Sequence, residues 1–395
     1  MNTTHNDWEQ RLSPGVSAIA PSGIRKFFDI AAQMKDVISL GVGEPDFVTP
    51  WSIRESCIYG LEQGYTSYTA NRGLLELRQE IVNHFHDKFQ TDYDPKTDVL
   101  VTVGVSEALD LAMRAILAPG DEVLIPEPCY VSYQACTILA GGVPVSVPAT
   151  IENEFRITPA ELEAYVTAKT KVLLIGYPNN PTGAIMTRKD LLAIADFAEK
   201  HDLIVISDEI YGDLTYGDEE HTCFSSLPRM QERTILLNGF SKAYAMTGWR
   251  IGYALGNPAI IAAMTKIHQY TMLCAPITAQ IGAVEALRHG EKYMKKMVAE
   301  YDRRRRLIYD GFIKLGLECF EPKGAFYIFP SIVSTGYNSN DFAEELLKAE
   351  HVALVPGSAF GQCGEGHVRC SYATSIDKIS EALNRIENFL KNHKK

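Results

Sequence analysis

The sequence has no run approaching the roughly 18 consecutive apolar residues that a membrane-spanning helix requires. Its first residues, MNTTHNDWEQRLSPG, are polar and lack a basic segment followed by an apolar one, so no secretory signal is read there. Positive charge is in deficit: 38 lysines and arginines stand against 49 aspartates and glutamates, for a net charge of −11. That balance argues against nucleic acid or an anionic membrane surface as the main partner. The eight cysteines form no C-x-x-C pair and no Cys/His cluster at zinc spacing. No metal site is expected, and the thiols are expected to be free, as in a reducing cytoplasm. A complete glycine-rich dinucleotide fingerprint is also missing. Gly41-Val42-Gly43 lacks both the third glycine and a strand-to-helix context, which weakens any nicotinamide-dependent reading.

What is present is a globular composition, 46% hydrophobic and 22% charged over 395 residues, enough for two or three domains with large cores. From about residue 95, short apolar runs alternate with helical patterns. The runs are DVLVTVG, EVLIPE, VPVSVP, KVLLIGYP, LIVISDE, TILLNGF and IGYALG. Several are almost entirely Val, Ile and Leu, as expected of strands buried on both faces of a mostly parallel sheet. The alternation predicts an α/β fold. Thr158, Pro159 and Glu161 spell a helix start with a capping box, and Thr187 with Asp190 repeats the device. After about residue 290 a long charged helix is followed by the short strands AFYIFP and HVRCSYA with a helix between them, which predicts a smaller α+β domain. The expected division is a large domain over residues 48–288 and a small one made of 1–47 and 289–395. Arg303-Arg304-Arg305-Arg306 lie in the long helix among Glu300, Asp302 and Asp310, and read as its solvated face.

Ligands of open α/β sheets bind beyond the carboxyl ends of the strands, so the residues following each strand matter most. VLVTVG runs into Gly104-Val105-Ser106 and then a helix, whose free N–H groups and positive dipole end suit a phosphate. KVLLIG runs into the rigid turn Tyr177-Pro178-Asn179-Asn180-Pro181-Thr182-Gly183. LIVIS ends in Asp208, Glu209 and Tyr211; TILLNGF ends in Ser241-Lys242, with Arg250 just beyond. One sheet edge thus gathers an anion site, an amide, a carboxylate, a phenol, a lysine and an arginine. Pyridoxal phosphate demands such a set: a lysine for its carbonyl, a carboxylate for its ring nitrogen and a cradle for its phosphate.

The motifs SLGVGEPDF, YTSYTANRGLLELR, VTVGVSEAL, PEPCYVSY, YPNNPTGA, SDEIYGDLTY, GFSKAYAMTGWRIGY, GAFYIFP, VALVPGSAFG and HVRCSYA run from about residue 38 to 373. Their order resembles that of the class I/II aminotransferases, pyridoxal-phosphate enzymes of fold type I, and in particular the bacterial aspartate and aromatic subgroup with AYAMTGWR. The resemblance implies a mostly parallel seven-stranded sheet in the large domain beside the smaller α+β domain. It implies transfer of the amino group of an L-amino acid to a 2-oxo acid, 2-oxoglutarate in the first instance, by a ping-pong mechanism in a cytoplasmic homodimer. It makes Lys242 the lysine that bonds the cofactor and moves the substrate proton, and Asp208 the partner of the pyridinium nitrogen. Asn180 and Tyr211 become donors to the phenolic oxygen, and Tyr130 the ring stacked on the pyridine. Val105, Ser106, Ser241 and Arg250 become the phosphate cradle, joined by Tyr68 from the neighbouring subunit. Arg369, with Gly41 and Asn180, becomes the clamp on the substrate carboxylate.

Two departures accompany the resemblance. Many family members carry Ser where Gly239 stands, which leaves the phosphate contact list open. Aspartate-preferring members need a cation for the distal carboxylate. One branch has a lysine in the turn that here reads Gly104-Val105-Ser106, and Arg25 is a candidate replacement. Two other readings use the same cofactor residues. One is a β-lyase acting on a sulfur amino acid. The other is a non-enzymatic cofactor-sensing module of a regulator, for which no helix-turn-helix is seen before SLGVGEPDF. The aromatic residues near the expected site, Tyr68, Tyr130, Tyr211 and Phe360, favour a pocket tolerant of aromatic substrates.

Overall fold

The computed structural model describes residues 8–20 and 34–393. Twelve strands follow in chain order. They are β1 (Ile38–Ser39), β2 (Val99–Thr102), β3 (Glu122–Glu127), β4 (Val143–Pro148), β5 (Thr170–Gly176), β6 (Ile204–Asp208), β7 (Thr234–Gly239), β8 (Gly252–Leu255), β9 (Tyr327–Ile328), β10 (Val352–Ala353), β11 (Val355–Pro356) and β12 (Val368–Ser371). Each of the seven apolar runs forms a strand of one sheet, ordered β2-β8-β7-β6-β5-β3-β4. All pairings are parallel except those of β8, which runs antiparallel to both β2 and β7. β2 is buried along its whole length, and β5 and β6 nearly so, because helices cover both faces.

From β5 the chain builds outward through β6 to β7, whereas β3 and β4 lie on the other side. The order therefore reverses between β3 and β5, and such a reversal opens a crevice at the carboxyl ends of the strands. The capping boxes form as the sequence predicts: Thr158 with Glu161 opens Pro159–Glu163, and Thr187 with Asp190 opens Arg188–Lys200.

Beyond Gly290 the chain forms the helix Glu291–Lys314, a three-stranded sheet ordered β11-β12-β9, and the closing helix Ile376–Asn392. That last helix buries Ile379, Ala382, Ile386 and Phe389, spaced three and four residues apart, as one apolar stripe. Phe389 is fully buried, so its truncation to alanine costs about 3–5 kcal/mol. β1 pairs in parallel with β10, tying the early chain to this late region.

The arginine run is not a solvated face. Arg303 and Arg306 are exposed, but Arg304 and Arg305 are only 6% and 7% exposed. At helical spacing four consecutive residues cannot share one face. Two therefore turn inward, where Asp46 and Glu321 neutralise them.

Candidate active site

A cavity of about 580 Å³ opens at the strand ends beside the β3/β5 reversal. Lys242 lies in its wall, on the loop that follows β7, and its Nζ donates to the Gly43 carbonyl at 2.6 Å. The rings of Tyr211 and Phe326 each lie 5.7 Å from that nitrogen. Burial is the main force on the amine. With Arg369 and Arg250 adding to it and Glu44 opposing, it lowers the Lys242 pKa to about 8. The loop is held taut: Ala245 and Arg250 both adopt a φ of +53°, a left-handed conformation that costs energy for residues with a Cβ.

Asp208 ends β6 and is buried. The Tyr133 hydroxyl donates to its Oδ2 at 2.8 Å, and the Ile210 N–H to its Oδ1 at 3.2 Å. Burial raises the Asp208 pKa to about 6, and these two donors oppose the rise. Tyr133 fits because residue 176 is glycine: a Cβ there would stand 2.3 Å from the Tyr133 hydroxyl. Tyr211 is likewise buried, with its hydroxyl 2.8 Å from that of Tyr327.

The anion end is built by close backbone approach. Gly104, with φ +76°, opens the helix Gly104–Ile116, so Val105 and Ser106 lie in a first turn whose N–H groups have no helical partner. A Cβ on Gly104 would meet Arg250 Nη2 at 2.7 Å, and one on Gly252 would meet the Val105 nitrogen at 2.8 Å. A Cβ on Gly239 would meet the Gly252 Cα at 2.9 Å. Three glycines thus let β7, β8 and the helix start converge beneath the guanidinium of Arg250, whose Nη1 is fixed by the Thr247 carbonyl at 3.0 Å. Ser241 borders the same cavity.

At the opposite end, Arg369 projects from β12 and is 3% exposed. Its Nη1 donates to Asn180 Oδ1 at 2.9 Å and its Nη2 to the Gly41 carbonyl at 2.6 Å. The rings of Tyr327 and Phe360 flank it at 4.5 and 4.8 Å. Its Nε is buried without a hydrogen-bond partner among the described residues. A buried cation held by two neutral oxygens is poised for an anion.

Against known proteins, the sequence model of the family described as Aminotransferase class I and II matches residues 35–386. The chain belongs to the class I and II aminotransferases. YugH of Bacillus subtilis (strain 168), named as an aminotransferase without a stated substrate, is 56% identical over 96% of this chain and 98% of its own. An aspartate aminotransferase of Pyrococcus abyssi is 49% identical over 97% of this chain and 99% of its own. The crystal structure of an aromatic aminotransferase from Pyrococcus horikoshii OT3 superposes with a TM-score of 0.89. It is 48% identical and covers 92% of this chain and 98% of that one. The protein is thus a transaminase of amino acids that uses pyridoxal phosphate, with the fold-type I architecture expected from its motifs.

The aminotransferase cavity brings together all the expected site residues but one: Gly41, Val105, Ser106, Tyr130, Asn180, Asp208, Tyr211, Ser241, Lys242, Arg250 and Arg369. Tyr68 does not join them. It is 82% exposed, and within this chain it is not part of the cavity wall. Arg25 lies outside the described residues. The donor set fits pyridoxal phosphate: an amine, a carboxylate, an anion cradle that added Cβ atoms would fill, and a cation with an orphaned Nε. Sequence reasoning gave no role to Tyr133, Tyr327, Gly43, Glu44 or Thr247, all of which border or support the cavity. A signal for Tyr133 existed in PEPCYVSY, where it follows Tyr130 by three residues and the strand end Gly176 leaves space for it. Among the described residues no group of acidic, His and Cys side chains is suited to a metal, and no helix is long and apolar enough to cross a membrane. All eight cysteines are free.

Proposed function

We propose that this aminotransferase works as a cytoplasmic homodimer. It takes the amino group from an L-amino acid, releases the 2-oxo acid, and then passes the group to a second 2-oxo acid, with 2-oxoglutarate as the acceptor, in a ping-pong cycle. Residues 48–288 would form the cofactor-binding domain, and 1–47 with 289–395 a smaller domain that closes on substrate. The observation that carries the reading is the convergence of a half-buried amine of lowered pKa, a buried carboxylate and a buried, anion-ready guanidinium on one cavity.

Bound pyridoxal phosphate would supply an electron sink that stabilises the carbanion left when the substrate Cα loses its proton. Lys242, whose pKa is lowered to about 8, is about one-tenth neutral at pH 7, far more than an ordinary lysine, and that neutral amine would accept the proton and return it. Asp208, ionised above about pH 6, would hold a proton on the ring nitrogen and so keep the sink effective. Asn180 and Tyr211 would donate to the ring oxygen, and Tyr130 would cover the ring face. Val105, Ser106, Ser241 and Arg250 would bind the phosphate, a guanidinium fork matching its oxygens. With Gly239 lacking a hydroxyl, Ser241 and the backbone N–H groups would make up that contact. Tyr68, exposed in its own chain, would reach the phosphate of the partner subunit. Arg369 would clamp the substrate carboxylate beside Asn180 and Gly41.

Tyr130 and Tyr327 in the wall support a pocket that accepts aromatic side chains. The test is a half-reaction on the purified protein with single L-amino acids and no oxo acid. Loss of the visible absorbance with stoichiometric 2-oxo acid release supports the reading. Accumulation of pyruvate and ammonia from a sulfur amino acid would instead identify a β-lyase.

A further inference from the structure

Arg304 is buried on the inner face of the helix Glu291–Lys314, outside the cavity described above. Its Nη1 lies 2.9 Å from both carboxylate oxygens of Asp46, and its Nε donates to Glu300 Oε1 at 3.0 Å. The guanidinium is 5.3 Å from the ring of Phe47 and 5.6 Å from that of Tyr301, and these two rings meet edge to face at 5.4 Å. Such a group is restrained in plane and in depth, because a planar guanidinium bonded at Nη1 and Nε and resting against two rings has little freedom to shift.

Asp46 belongs to the strap of residues 40–49, which borders the substrate end of the cavity. The strap begins where Leu40 exchanges backbone hydrogen bonds with Ala353 and Ser371 at 2.7 and 2.6 Å. It ends where Thr49 donates to the Ala245 carbonyl at 2.6 Å and accepts from Trp249 Nε1 at 2.9 Å. Between these ends the strap supplies the Gly41 carbonyl to Arg369, the Gly43 carbonyl to Lys242, and Glu44 Oε2 to the Thr247 hydroxyl at 3.1 Å. A Cβ on Gly43 would lie 2.5 Å from the Tyr327 hydroxyl, so the strap sits as close to the site as its backbone allows.

We infer that Arg304 is a positioning residue for the amino acid substrate: through Asp46 it holds the strap at the depth where the Gly41 carbonyl aims Arg369 at the substrate carboxylate. The inference rests on the proposed role of Arg369 as carboxylate clamp. The cofactor-end loop Lys242 to Arg250 meets the strap at Gly43, Glu44 and Thr49, but it is also anchored at its own ends by β7 and β8, so slackening the strap acts more on substrate affinity than on cofactor affinity.

The experiment uses the cofactor-loaded enzyme and 3-phenylpropanoate, a monocarboxylate that mimics an aromatic substrate but has no amino group to transfer, titrated through its effect on the visible absorbance. Arg304→Met and Asp46→Asn are each expected to weaken it about tenfold, the scale typical of a coupling residue that touches no ligand. Amino acid KM rises in parallel, with little change in kcat and in pyridoxal phosphate affinity. The double variant is expected to be no worse than the worse single one, because the pair acts as a unit. Asp46→Asn removes one charge from the strap side and leaves Arg304 bonded to Glu300, which keeps the test open should Arg304→Met fold poorly. Wild-type affinity for 3-phenylpropanoate in Asp46→Asn, additive losses in the double variant, or cofactor loss in step with substrate loss would each overturn the inference. Arg369→Gln separates the two failures. If it leaves 3-phenylpropanoate binding unchanged, the clamp reading falls and takes the inference with it. If it weakens binding and the Arg304 and Asp46 variants do not, the inference alone falls.

Discussion

The Tyr133 hydroxyl donates to Asp208 Oδ2 at 2.8 Å inside a buried pair. The bond favours the ionised carboxylate against a burial that disfavours it, and the balance leaves Asp208 at about 6. Removing the bond in Tyr133→Phe raises that pKa further. On the proposed role of Asp208, cofactor affinity would depend on the carboxylate and so be full above the Asp208 pKa and lost as pH falls through it. Titration of cofactor-free protein with pyridoxal phosphate between about pH 5 and 8 should show the acid limb moved up by about one unit in Tyr133→Phe. An unmoved limb would mean that Tyr133 does not tune Asp208.

Lys242 is expected to carry both cofactor attachment and proton transfer. Lys242→Ala should lower turnover by at least about 10³-fold, within the range spanned by general acid–base groups. In the cofactor-free protein the amine gains nucleophilicity as it deprotonates. Its rate of reaction with an acylating reagent should therefore rise with a midpoint near 8. A midpoint at the ordinary lysine value would contradict the burial that the structure describes.

Gly104 combines a φ of +76° with an added Cβ placed 2.7 Å from Arg250 Nη2. Gly104→Ala is therefore strained in the backbone and displaces the guanidinium. Folding stability should fall by about 1–3 kcal/mol. Pyridoxal phosphate affinity should fall by about tenfold or more, as a misplaced bidentate contact implies. Denaturant midpoints and a cofactor titration check the two losses separately.

Tyr68 is 82% exposed and absent from the wall of its own cavity. In a symmetric dimer it would complete the neighbour's site, so variants with lesions on opposite sides should complement. Mixing Tyr68→Ala with Lys242→Ala, unfolding and refolding together, should return about a quarter of wild-type activity if pairing is random, since half the dimers then hold one intact site. Activity no greater than the sum of the separate variants would remove Tyr68 from the partner's site.

Much of the site was legible because its residues follow strands, and strands buried on both faces announce themselves as apolar runs. Asp208 ends such a run, and Lys242 and Asn180 each stand just past one. The misreading of Arg304 and Arg305 has a definite cause. Their counter-charges Asp46 and Glu321 are distant in sequence, and only the tertiary fold shows that a basic cluster is divided between water and core. Tyr133 and Tyr327 escaped for a related reason. Each acts through another side chain, Asp208 or Tyr211, and no local pattern marks a hydroxyl that supports a functional group from behind. Gly43 contributes only its carbonyl, which any residue possesses. Its identity matters because of the Tyr327 hydroxyl above it.

The contact between Gly239 and Gly252 also limits what position 239 can carry. Any side chain there would set its Cβ 2.9 Å from the Gly252 Cα and 3.1 Å from the Ile251 carbonyl. Both are backbone atoms that cannot rotate away. A hydroxyl can therefore enter at 239 only if the antiparallel β7/β8 pair gives way. Side-chain identity at this point and the spacing of two strands form one variable rather than two.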